Sequence, residues 1–187
     1  MAQWNRTERT LYAKLVYYGP ALGGKTTNLR VLHAITDPDG KEKLVSVETA
    51  DDRTLFFDLL PFELGSVLGY RVAVKLYTVP GQVRYDRTRK LVLAGADAVI
   101  FVADSDPARE QENRLAWDDL RRNMRANGLD PKAVPVLVQL NKRDLAGAAP
   151  AASMARWFGV DPEEKNISEQ GRPIKIADGK ALREVLA

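Results

Sequence analysis

An α/β domain built on a mostly parallel central sheet, with one antiparallel strand and helices on both faces, is what this 187-residue chain predicts. Three observations carry the prediction. Short apolar segments suited to strands alternate with longer amphipathic ones suited to helices. Two of the strand segments, AVIFVA (98–103) and VPVLVQL (134–140), are almost uninterrupted apolar runs, as central strands covered on both faces require. Finally, the first apolar segment runs through a glycine-rich stretch directly into a helical pattern, the strand–loop–helix unit from which parallel sheets are assembled.

The elements follow in order. The first strand spans 12–17 and leads to Gly19, from which the chain spells G-x-x-x-x-G-K-T up to Thr26 before a helix over 25–34. This is a phosphate-binding loop, as in P-loop NTPases, and one that a phosphotransferase such as a small kinase would share. Gly19, Gly23 and Gly24 let the backbone turn tightly and aim its N–H groups inward, with Pro20, Ala21, Leu22 and Thr27 completing the cradle. Lys25 supplies positive charge to the β and γ phosphates, the Thr26 hydroxyl suits Mg2+, and the helix start adds its dipole. His33, the one histidine, falls at the end of that helix and is read as a helix-end residue.

Residues 36–52 are polar, Asp-rich and Gly-containing, which composition reads as a mobile loop. Strands are expected at 54–60 and 71–78. The link 61–70 is too short for a crossover helix, so these two pair antiparallel. A helix over 88–94, the strand 98–103, a helix over 109–127 closed by Asn127-Gly128, the strand 134–140 and a helix over 151–158 continue the alternation. A last strand is expected at 174–176. Only 180–187 then remains for a closing helix of about two turns.

Directly after the strand 134–140 stands Asn141-Lys142-Arg143-Asp144. In an open α/β sheet ligands bind beyond the carboxyl ends of the strands, where both this tetrad and the phosphate loop fall. Asp144 can accept hydrogen bonds from the N1–H and N2 amino groups of guanine, Asn141 can meet the O6/N7 edge, and the Lys142 stem can cover the ring face. Adenine lacks those two donors and would leave the carboxylate unpaired, at a cost of about 1 to 3 kcal/mol.

With 28 Lys and Arg against 25 Asp and Glu the net charge is +3, too mild to call for nucleic acid. The basic clusters Arg84, Arg87, Arg89, Lys90 and Arg121, Arg122, Arg125 are read as solvated faces. Length and 45% hydrophobic content suit one domain over 1–187. Absence of cysteine excludes disulfide and thiolate chemistry and suits a reducing cytoplasm. Neither a signal peptide, nor an apolar run long enough to span a bilayer, nor a lipidation motif is seen, so no stable membrane anchor is expected.

Taken together, VYYGPALGGKTTNL, DRTLFFDLLP, LYTVPGQV, RKLVLAGADAVIFVADS and QLNKRDL resemble the Ras-like small GTPase superfamily and, within it, the bacterial MglA-like branch, over about residues 12–145. The GKTT run with Asn28-Leu29 is also similar to the Arf group. The resemblance implies a cytoplasmic switch that binds GTP or GDP with Mg2+ and hydrolyses GTP, with a roadblock-fold activating protein and an unidentified effector as partners. It implies that 36–52 is the first switch, that Thr54 closes on Mg2+ and the γ phosphate, and that Arg53 is an arginine finger supplied in cis. In the second switch, Gly81 would give its N–H to the γ phosphate and Gln82 would orient the attacking water. Ala177-Asp178-Gly179 stands where relatives touch the guanine O6. Two departures matter. Thr78 replaces the Asp common in small GTPases, although MglA-like proteins share it, and Asp58 is the expected substitute carboxylate for the metal. Ala21 replaces a usual glycine, and its methyl group is expected to crowd Gln82 and slow intrinsic hydrolysis. The alternative is an interaction module that works by nucleotide occupancy with negligible hydrolysis.

Overall fold

The computed structural model describes residues 3–36, 45–48, 54–67, 69–81, 85–130, 133–159 and 167–168. Eight strands form one sheet: β1 (Gln3–Asn5), β2 (Thr10–Tyr18), β3 (Val45–Glu48), β4 (Thr54–Val67), β5 (Tyr70–Thr78), β6 (Ala98–Asp104), β7 (Val136–Asn141) and β8 (Ile167–Ser168). Four helices accompany them: α1 (Lys25–Thr36), α2 (Asp86–Leu93), α3 (Glu110–Ala126, entered through a 3-10 turn Pro107–Arg109) and α4 (Ala151–Phe158). The spatial order is β3-β4-β5-β2-β6-β7-β8. From β2 the chain crosses to the outer edge at β3 and steps back inward through β4 and β5, then with β6, β7 and β8 works outward on the other side, so β2 and β6 flank the switch point of the sheet.

Strict alternation divides the core into two layers. Val16 and Tyr18 of β2, with Val99, Phe101 and Ala103 of β6, pack against Leu93, Leu120, Met124, Met154 and Phe158 from α2, α3 and α4. Ala13, Leu15 and Tyr17, with Ala98, Ile100 and Val102, pack with Leu29 and Leu32 of α1 on the opposite face. Apolar side chains at both alternating positions are what two buried faces demand, which is why AVIFVA reads as a continuous run. Phe101 meets the edges of Trp117 and Phe158 with centroids 5.0 and 5.3 Å away, an arrangement that adds about 0.5 to 1.5 kcal/mol per pair to area burial.

The β4–β5 pair is antiparallel as expected, and β2, β5, β6, β7 and β8 run parallel. β4 is longer than the predicted 54–60. It continues through Pro61 to Val67 with register shifts between Leu59 and Phe62 and between Glu63 and Ser66, so the proline sits at an irregularity of the ladder. Three strands had no counterpart in the sequence reading. β1 pairs antiparallel with the start of β2, where Trp4 meets the Tyr70 ring edge-on at 4.9 Å. β3 lies inside the segment read as a loop and pairs antiparallel with β4, with Thr54 opposite Glu48. β8 occupies the position beside β7. The strand expected at 174–176 and the closing helix at 180–187 lie outside the described residues.

Candidate functional site

Because β2, β5, β6 and β7 run parallel, their carboxyl ends deliver four loops to one edge of the sheet: the glycine-rich loop after Tyr18, the stretch Val79 to Gly81, the turn before α3, and Asn141 to Asp144. Gly19 opens the first loop at φ +134°, and a Cβ there would stand 2.3 Å from the Val102 carbonyl oxygen. Only glycine tolerates that approach. Gly24, at φ +97°, leaves room for Asn141, whose Nδ2 would be 2.1 Å from an added Cβ. Leu22 adopts φ +61°, a left-handed conformation that costs a residue with a Cβ about 1 to 2 kcal/mol. It is 75% exposed, so the conformation serves the loop backbone and not side-chain packing.

Lys25, the first residue of α1, is buried and donates from Nζ to the Gly19 and Pro20 carbonyls at 2.9 and 2.6 Å. Burial, reinforced by the charge of Arg89, pushes its ammonium down to about 7. A buried cation whose neighbours are loop carbonyls, in a concavity that a Cβ would fill, fits a polyanion such as a phosphate chain.

The loop is held from β7. Asn141 Nδ2 donates to the Gly23 carbonyl at 2.8 Å, and buried Gln139 donates to Asn28 Oδ1 at 2.8 Å, while Asn28 Nδ2 donates to the Gly24 carbonyl at 2.9 Å. The strand that ends at the NKRD tetrad therefore also fixes the phosphate loop. Lys142, at φ +61°, reaches Asp104 Oδ2 at 2.6 Å, so its side chain is tied back to the carboxyl end of β6. Asp104 is buried, and its backbone is bracketed by the Asn113 amide at 3.0 and 2.8 Å. Asp144 stands exposed in the turn beyond. The site thus presents a glycine-rich cradle holding a buried lysine and a separate exposed carboxylate, joined through β7.

Gly81 lies against the cradle, since a Cβ on it would come within 2.4 Å of both Cα and N of Ala21. Ala21 thus sits directly against the stretch Val79 to Gly81 that follows β5. Thr26 and Thr27 follow in the first turn of α1. Thr54 opens β4, and Asp58 is level with Tyr77, one position short of buried Thr78, whose own partner is Phe57. Arg53, Gln82 and Ala177 lie outside the described residues.

Sequence reasoning missed Asn28, Asp104, Gln139 and Arg109, which secure the glycine-rich loop and the Asn141 to Asp144 turn. Their signal was positional: each lies at the carboxyl end of a strand or within the first turns after it. It also misread Arg89 as part of a solvated face. Arg89 is only 4% exposed, with its Nε 2.7 Å from Asp119 Oδ2 and an Nη 3.4 Å from Asp86 Oδ1. Tyr18 donates to the same Asp119, and Asn123 Nδ2 lies 3.1 Å from the Tyr18 oxygen and 3.3 Å from Asp86 Oδ1. Burial and the Asp119 carboxylate raise the Tyr18 phenol well above its usual range. Hydrogen bonding by Asn123 holds Asp86 low.

Among known proteins, no family model matches the chain. It is 47% identical over 165 residues to the mutual gliding-motility protein MglA of Myxococcus xanthus (strain DK1622), an alignment covering 88% of this chain and 83% of that protein. No described helix is long and apolar enough to cross a membrane.

Proposed function

The chain belongs to the MglA-like branch of the Ras-like small GTPases, GTP-binding proteins, and from that premise we propose that it is a cytoplasmic switch that hydrolyses GTP to GDP and phosphate. Control of motility is carried over from the relative's name, and control of cell polarity from the resemblance to MglA-like proteins. The observation that carries the reading is the tether from Asn141 to the Gly23 carbonyl at 2.8 Å, because it makes the phosphate cradle and the base-reading segment one unit. Lys25 and the loop N–H groups hold the phosphates, and Asp144 reads guanine, with Ala177 assigned to the O6 side. Thr26 and Thr54 would hold Mg2+, which supplies charge neutralisation on the β and γ oxygens. Gln82 orients the water that attacks the γ phosphorus in line as the bond to the β–γ bridging oxygen breaks, and Arg53 offsets charge on the transferring group. A roadblock-fold activator and an effector that reads the switch loops complete the cycle.

Competition of GTP and GDP against ATP and ADP for the purified protein, followed by phosphate release with and without a roadblock-fold activator, tests this. Guanine preference with activator-stimulated release is expected. Equal affinity for adenine nucleotides overturns the reading. Guanine binding with no release under either condition replaces it with the occupancy module, which the close packing of Ala21 on Gly81 favours.

Asp58 is proposed as the carboxylate that supports the metal in place of an Asp at Thr78. Its place one position from Thr78 along the β4–β5 ladder supports this. Asp58→Ala is expected to raise the Mg2+ concentration needed for half-maximal GTP affinity by about tenfold. An unchanged Mg2+ titration would remove the role.

Lys25 makes binding pH-dependent. Its ammonium is lowered to about 7 in the free protein, and bound phosphates favour the charged form, so binding raises that value. At pH 8 the nucleotide phosphates, with a last ionisation near 6, are already ionised. GDP binding at pH 8 is therefore expected to take up most of a proton, and affinity to fall about tenfold per unit as pH rises beyond 8. Calorimetric titration in two buffers of different ionisation enthalpy measures this directly, and identical heats at pH 8 would contradict it.

A further inference from the structure

Arg109 closes the 3-10 turn that leads into α3, far from the phosphate loop in sequence, yet one Nη donates to the Ala21 carbonyl at 3.1 Å. The other Nη donates to Glu112 Oε1 at 2.7 Å, so the guanidinium is aimed from behind by a carboxylate one turn along the helix. Ala21 is confined on a second side by Gly81, whose Cβ, if present, would lie 2.4 Å from the Ala21 backbone. The next residue, Leu22, holds φ +61°, a conformation unfavourable for a side chain with a Cβ, and its exposed side chain makes no core contact that would account for it. Something must hold the Ala21–Leu22 peptide in that orientation, and Arg109 grips its oxygen.

We propose that Arg109 is a positioning residue for nucleotide binding: by holding the Ala21 carbonyl it keeps the Leu22 N–H turned to the phosphate side of the loop. A trans peptide points its oxygen and its N–H in opposite directions, so fixing one fixes the other. A charged donor strengthens the grip over a neutral one. The inference rests on the phosphate-binding reading of the loop. It assigns Arg109 no contact with the nucleotide, only with the peptide that makes one.

The test is a cycle between Arg109→Ala and Leu22→Gly, reading the dissociation rate and affinity of fluorescent GDP together with the thermal midpoint of nucleotide-free protein. Arg109→Ala is expected to weaken GDP binding about tenfold, mostly through faster release, with little change in the midpoint. Arg109→Lys, which keeps one charged donor but loses the fork, should fall between. Glycine adopts positive φ without penalty, so the Leu22→Gly background should shrink the Arg109→Ala effect to less than about threefold. Unchanged affinity in Arg109→Ala overturns the proposal, and so does a full tenfold loss in the glycine background, which would mean that Arg109 acts otherwise than through this peptide. Failure of the unaltered protein to bind GDP would instead sink the underlying reading of the loop.

Discussion

Replacing Asp144 by alanine is expected to erase the preference for guanosine over adenosine nucleotides. The carboxylate stands exposed in the turn after β7, and on the reading proposed above it would offer a pair of acceptors to the N1–H and N2 amino groups of guanine. Hydrogen bonds to a charged acceptor contribute about 1.5 to 3 kcal/mol each, so loss of two lowers GDP affinity by about 10^2-fold or more. ADP never used them, and its affinity should move by less than about threefold. Because Asp144 is exposed and the tethers of the loop run through Gln139 and Asn141, the fold and the cradle should remain intact. Competition titrations with fluorescent GDP measure both affinities in one experiment. A preference for guanine that survives the substitution would place recognition of the base elsewhere.

Gly19→Ala is the second large effect, and its origin is steric. The new methyl group would lie 2.3 Å from the Val102 carbonyl oxygen and 3.2 Å from its carbon, both backbone atoms of the central strand β6. A flexible side chain could swing aside, whereas a central strand cannot, and φ +134° adds strain of its own. The cost is about 3 kcal/mol or more, which for a chain of this size lowers the unfolding midpoint by about 10 °C. Relief by shifting the loop would misplace the cradle instead, so nucleotide affinity should collapse even in the fraction that folds. Thermal unfolding with and without GDP distinguishes a stable, binding-competent variant, which would contradict the contact, from either failure.

Legibility in the sequence tracked local chemistry. Central strands announced themselves because both of their faces are buried, and α4 fell on its predicted bounds because its apolar positions, Met154, Ala155 and Phe158, recur at helical spacing. The tight loop at Gly19 and Gly24 and its placing before α1 were legible because a strand–loop–helix motif with those glycines at that spacing demands close backbone approach. What failed depended on partners distant in the chain. β3 is only four residues, and its alternation Val45-Ser46-Val47-Glu48 is a strand signal that polar surroundings outweighed. The continuation of β4 past Pro61 was hidden because proline marks a strand end unless the ladder is irregular there. Arg109 and Gln139 could not be assigned, because their roles are contacts with residues 88 and 111 positions away. Arg89 sat in a basic cluster whose other members gave no hint that one of them turns inward.

That inward arginine limits how the helix bearing it can travel. Arg89 is sealed between α2 and α3 on Asp119, the carboxylate that also receives the hydroxyl of Tyr18, the last residue before the phosphate loop. Pulling α2 away alone would withdraw the Arg89 guanidinium from Asp119 and leave that buried carboxylate short of its cation, and breaking a buried pair costs about 3 to 5 kcal/mol, more than most ligands supply as coupling between sites. Any rearrangement that a nucleotide drove through α2 would therefore be leashed: it would drag α3 with it, and news of the bound phosphate would reach the far flank of the molecule.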